Sequence, residues 1–130
     1  MANEAGLREA KAFISEFIHS AEQLDVLLLL HSKSDRTFTA AEVSQQVYTV
    51  PASATLRLEE LVAGGLLTSD RAPDPRYRYA PASQAVADRV EALAATYRED
   101  RVAVIRLIFQ APADPVRSFA DAFRLKRPGV

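Results

Sequence analysis

No cysteine occurs among the 130 residues, which excludes a disulfide framework and a thiolate metal site and fits a reducing compartment. Long apolar runs are also missing. The longest, Val26 to Leu30, is far shorter than the ~20 residues needed to cross a bilayer. Met1 to Lys11 carries Glu4, Arg8, Glu9 and Lys11 in place of a signal peptide's apolar core. A soluble, cytoplasmic protein with no membrane partner is expected. Histidine is scarce: His19 and His31 fall on different predicted elements, and His31 follows Leu24, Leu27 and Leu28 at helical spacing, as a hydrogen-bonded residue at a helix end does. There is no glycine-rich phosphate loop, no HExxH and no GxSxG. Glu59 and Glu60 are adjacent, so on a helix they do not face each other as a catalytic pair would. Tyr77, Tyr79 and Tyr97 read as packing residues. Catalysis, a metal and a cofactor are therefore not expected.

A basic excess is lacking as well. Sixteen Lys and Arg stand against 17 Asp and Glu, a net charge of −1, whereas nucleic-acid binders usually carry a surplus of positive charge. What is present is an ordinary globular composition, 48% hydrophobic and 25% charged, long enough for one domain with an appendage.

The pattern along the chain predicts a mainly helical fold with a small β-hairpin. Leu7, Ala10, Phe13, Ile14 and Phe17 mark a first amphipathic helix within residues 1–19. Ser20 and Gln23 open a second, running to about Ser32 and apolar nearly all round. Thr37-Phe38 is a candidate short strand. Thr39 with Glu42 forms a capping box for a helix through Val47, Tyr48-Thr49-Val50 is a turn, and Pro51 suits the first turn of the next helix. Ala54, Leu58, Leu61 and Val62 form that helix's inward stripe, and Gly64-Gly65 ends it. Leu66 to Arg71 and Arg76 to Ala80 read as strands around the turn Ala72-Pro73-Asp74-Pro75. Residues 20–81 thus have the element order of a winged helix-turn-helix domain. A long helix, 82–110, follows, and 111–130 hold a short basic amphipathic helix and tail.

The segments LDVLLLL (Leu24–Leu30), FTAAEVSQQV (Phe38–Val47) and LEELVAGGLL (Leu58–Leu67) resemble bacterial winged-helix regulators of the MarR type. The resemblance covers about a third of the chain. It implies a transcriptional regulator whose third winged-domain helix enters the major groove of double-stranded DNA. The DNA-binding residues implied are Thr39, Ser53, Thr55 and Arg57, with Arg71, Arg76 and Arg78 on the wing. Aligned on Gly65-Leu66, Thr55-Leu56 replaces a common Ser-Arg pair, and Glu59 and Glu60 stand where basic residues are frequent. Two carboxylates on a groove-facing surface would repel phosphate. Six basic residues oppose eight acidic ones between Ser20 and Ala80, a net −2. The alternative is therefore a winged-helix module that binds a protein partner and has little or no affinity for DNA.

Val86, Val90, Leu93, Tyr97, Val104 and Leu107 follow alternating spacings of four and three, with Asp100 filling the intervening position. This heptad-like stripe predicts a homodimer interface along the long helix, with Val90, Leu93, Tyr97 and Val104 buried only when two chains meet. Packing on the chain's own winged domain and first helix is the competing reading. In the tail, Phe119 and Phe123 share a face among Arg117, Arg124, Lys126 and Arg127, a second candidate surface for a protein partner.

Overall fold

A computed structural model describes residues 3–110. The expected tail helix and its partner surface lie outside the described residues. Six helices and one three-stranded antiparallel sheet are present among those described. The chain divides into two compact units, Ser20–Glu91 and a second of which residues 3–19 and 92–110 are described.

The first unit holds the winged helix-turn-helix domain. Helix α2 (Ala21–Ser32) starts at Ser20, whose hydroxyl accepts the Gln23 N–H at 3.0 Å. Strand β1 (Phe38–Thr39) runs into α3 (Ala40–Gln46) through a complete capping box. Glu42 N–H donates to Thr39 Oγ1 at 3.2 Å, and Thr39 N–H donates to Glu42 Oε1 at 2.9 Å. Helix α4 (Pro51–Ala63) has proline at its first position and an apolar N-cap, Val50, with no side-chain cap bond. Its end is fixed by two bonds, Gly65 N–H to Val62 O and Leu66 N–H to Leu61 O, both 3.0 Å. That pattern requires a left-handed residue between the two, and Gly65 supplies it at φ +81°.

Strands β2 (Leu67–Ser69) and β3 (Arg76–Tyr79) form the hairpin. β3 is central, pairing Phe38 with Tyr77 on one side and Thr68 with Arg78 on the other. The second strand is shorter than expected at both ends. Leu66 belongs to the helix terminator, and at the far end the Asp70 carboxylate accepts N–H groups of Ala72 and Arg76 at 3.0 and 3.1 Å, folding the chain into the turn. Arg71 accordingly sits outside any strand, at φ +57°.

The core of this unit is built from Leu24, Val26, Leu27 and Leu30 of α2, Phe38 of β1, Val43 of α3, Ala54, Leu58 and Leu61 of α4, and Leu66, Leu67 and Tyr77. Val62, expected in the inward stripe, is only half-buried. His31 closes the last turn of α2, with Nε2 2.7 Å from Glu91 Oε2 and its ring edge-on to Tyr79.

In the second unit α1 (Glu4–Phe17) lies against α6 (Arg101–Gln110), burying Ala10, Phe13 and Ile14 of α1 and Val104 of α6. The N-cap of α1 is Asn3, whose side chain accepts the Gly6 N–H at 2.6 Å. The single long helix expected over 82–110 is two helices, α5 (Gln84–Glu99) and α6. Asp100 separates them. Its carboxylate accepts the Ala103 N–H at 3.1 Å, so it caps α6 and does not fill a seam.

The seam expectation needs correction on a second count. Val90, Leu93 and Val104 are already buried within the single chain at 0%, 2% and 0% exposure, and Val86, Tyr97 and Leu107 are half-buried. The burial of Val90, Leu93 and Val104 requires no partner. The apolar side chains left outward are Val102 and Phe109 of α6, seven residues apart and so on one face, at 60% and 74% exposure.

Candidate nucleic-acid interface

In a winged helix-turn-helix domain the outer face of the helix after the turn and the wing beside it form the candidate contact surface. Helix α4 carries five polar side chains in its sequence, and each is bonded within the chain. Glu22, in the first turn of α2, is the anchor. Its Oε1 accepts the Ser53 hydroxyl and, at 3.0 Å, the Arg57 Nε–H. Arg57 also donates to both carboxylate oxygens of Glu60 at 3.1 Å. The Ser53 hydroxyl, ahead of Thr49 and Arg57, holds the Glu22 carboxyl below its usual range. The same two carboxylates, Glu22 first, raise Arg57 above its ordinary value. Ser53 and Arg57, both expected to meet DNA, tie α4 to α2.

Glu59 ties α4 to the wing. It accepts Arg71 Nη1 at 2.8 and 2.9 Å and the Tyr77 hydroxyl at 2.5 Å. Those bonds, Tyr77's first, lower the Glu59 carboxyl, while burial and then Glu59 push the Tyr77 phenol up to about 12. The two carboxylates expected to repel phosphate thus each have an arginine partner, with Arg57 shared between Glu60 and Glu22. The cost is that Arg57 and Arg71 are engaged. Thr39 is buried at 8% exposure with its hydroxyl in the capping box, and the Thr55 hydroxyl donates to Pro51 O at 2.9 Å.

Arg76 and Arg78 are exposed on the same face of β3, opposite the buried Tyr77. Arg76 Nε donates to Thr37 Oγ1 at 2.9 Å and its Nη2 lies 3.5 Å from Glu42, while Arg78 Nε donates to Ser34 O at 3.3 Å. Arg36 lies over the Phe38 ring at 4.6 Å.

Three features escaped the sequence. Glu22 organises the helix but has partners 31 and 35 residues away, with no local signal. Tyr48, in the turn, takes φ +59° and is 95% exposed. Val50 and Leu56 are exposed at 62% and 52%, giving the start of α4 an apolar surface. No helix among the described residues is long and apolar enough to cross a membrane.

This arrangement defines a winged helix-turn-helix fold, mostly helical with a small antiparallel sheet. Two solved structures share it. The crystal structure of RV1404 from Mycobacterium tuberculosis matches at TM-score 0.53 and 17% identity, over 97% of this chain and 86% of that one. Sco5413, a MarR family transcriptional regulator from Streptomyces coelicolor, matches at TM-score 0.50 and 19% identity, over 92% and 81%. No protein-family model and no curated protein matches the sequence.

Proposed function

We propose that the protein is a cytoplasmic transcriptional regulator that binds double-stranded DNA as a homodimer, without catalysis or a cofactor. The observation that carries this reading is the pairing of an outward α4 face with two exposed arginines, Arg76 and Arg78, on the adjacent strand. A wing strand of that kind meets the DNA backbone beside the groove that the helix enters. The description of Sco5413 as a transcriptional regulator supports the same reading. α4 begins without a side-chain cap, so its first N–H groups are available to a phosphate. Thr39, Ser53, Arg57 and Arg71 serve as the scaffold that holds this surface, with contacts to DNA falling to α4's outer face and to Arg76 and Arg78. For the dimer, Val102 and Phe109 form the apolar face that a second chain would cover, in place of the buried Val90, Leu93 and Val104.

Tyr48 and Val50, exposed at 95% and 62%, favour the second reading, a module that docks a protein through the same end of α4. Enrichment of duplexes from a randomised pool separates the two. A regulator enriches a defined sequence, and Arg76→Ala with Arg78→Ala weakens binding to all sequences alike. A protein-docking module enriches none.

A further inference from the structure

Every polar side chain of α4 is already bonded within the chain. Direct readout by hydrogen bonds uses guanidinium, amide or hydroxyl groups aimed at base edges. Here Ser53 and Arg57 are held by Glu22, Glu60 by Arg57, and Glu59 by Arg71 and Tyr77. The Thr55 hydroxyl turns back to Pro51 O at 2.9 Å, which leaves its γ-methyl as the remaining group on Cβ.

The outward face is aliphatic instead. Ala52, Thr55 and Leu56 stand at i, i+3 and i+4, all exposed, on the side of the helix away from the buried Ala54, Leu58 and Leu61. Leu56 is 52% exposed on a helix whose inward leucines are at 0%, so its apolar surface remains wet. Glu22, Glu59 and Glu60 share two guanidiniums, those of Arg57 and Arg71, so the surroundings of this face carry no positive excess. That suits an apolar contact better than a phosphate. Among base edges in the major groove, the apolar group is the 5-methyl of thymine.

We propose that α4 reads DNA through this aliphatic face, with Leu56, Thr55 and Ala52 packing on thymine 5-methyl groups in the major groove. The inference rests on the DNA-binding reading above and assigns its sequence preference to methyl contacts. The arginines of β3 supply sequence-independent attachment, and α4 selects sites that place thymines opposite it.

Deoxyuridine tests this directly, because it keeps every hydrogen-bonding group of thymine and lacks only the methyl. The probe is the duplex enriched from the randomised pool, synthesised with thymine, with deoxyuridine in its place, or with 5-methylcytosine in place of cytosine. Removal of thymine methyls is expected to lower affinity about fourfold for each one packed on the helix. The 5-methylcytosine duplex is expected to bind as the original does. Leu56→Ala, at an exposed position, should melt as the wild type does, bind the thymine duplex more weakly, and lose most of the distinction between thymine and deoxyuridine. Equal binding of thymine and deoxyuridine duplexes overturns methyl readout while leaving DNA binding intact. Tighter binding of the 5-methylcytosine duplex with indifference to deoxyuridine also overturns it, since the wrong base then carries the methyl. If no duplex is enriched at all, the DNA reading fails and this inference fails with it.

Discussion

Replacing Tyr48 by glycine should make the protein more stable. Tyr48 holds φ +59° in the turn between α3 and α4, a conformation that costs a residue with a Cβ roughly 1–2 kcal/mol. Nothing offsets that cost through burial, because the side chain is 95% exposed. The turn's geometry is imposed by its neighbours: Thr49 N–H donates to Ser44 O at 2.9 Å, and Ala54 N–H donates to Val50 O at 3.0 Å. Glycine removes the steric term but has more freedom to lose on folding, a penalty of roughly 0.5–1 kcal/mol. The net gain expected for Tyr48→Gly is about 0.5–1 kcal/mol. Tyr48→Asn should gain less, since asparagine tolerates the left-handed region only in part. Tyr48→Ala keeps the strain and should be near neutral. The assay is the urea midpoint at unchanged m-value. A glycine variant as stable as the wild type, or less so, would refute the argument that this turn is strained.

Three further outcomes follow from the same structure. Gly65→Val should destabilise by about 1–3 kcal/mol in thermal or urea unfolding, because φ is +81° and an added Cβ would sit 3.3 Å from the Ala82 Cβ; a wild-type melt would mean that the end of α4 is misplaced. The Glu22 carboxyl is held below 4.5 chiefly by the Ser53 hydroxyl, so its stabilisation is complete above pH 4.5 and fades as pH falls through the lower folded value. Glu22→Gln should thus be less stable than wild type at neutral pH, with the gap in urea midpoint narrowing only below 4.5. For assembly, Val102→Glu with Phe109→Glu should give a folded monomer by light scattering, whereas Leu93→Glu or Val104→Glu should unfold the chain, since both sites are buried within it.

The elements legible in the sequence were those fixed by short-range chemistry. Ser20, the Thr39–Glu42 box, Pro51 and Gly65 each act within about one helical turn, and each stands where its residue type predicts. The long helix was misread because an apolar stripe at spacings of three and four does not say what covers it. Val104 was assigned to a partner chain and is buried where α6 meets α1. Asp100 did carry a local signal, being a favoured N-cap residue, but the periodicity running through it hid the break. The candidate site was legible as a location and not as a set of contacts. Arg57 and Arg71 look available in the sequence, yet Glu22 is 35 residues from one and Glu59 is 12 from the other. Pairings at that separation depend on the finished fold. Tyr48 carries no turn signature at all, and its conformation is set by the two helices it joins.

Affinity for an enriched duplex, measured across a salt series, tests DNA recognition most directly. Of the assigned arginines, Arg78 is exposed and bonded to a backbone carbonyl. Arg76 is exposed with its Nη2 3.5 Å from Glu42, a longer pairing than those of Arg57 and Arg71. Two phosphate contacts per chain are therefore expected, with Arg76 exchanging Glu42 for a phosphate. At about 0.9 per contact, the logarithm of the association constant should fall with the logarithm of salt at a slope of about −1.8 per chain. Arg76→Ala with Arg78→Ala should remove most of that slope and weaken binding to every sequence alike. A duplex whose affinity and salt slope are unchanged by the double substitution, or the absence of binding to any duplex at low salt, would contradict the assignment of this surface to DNA.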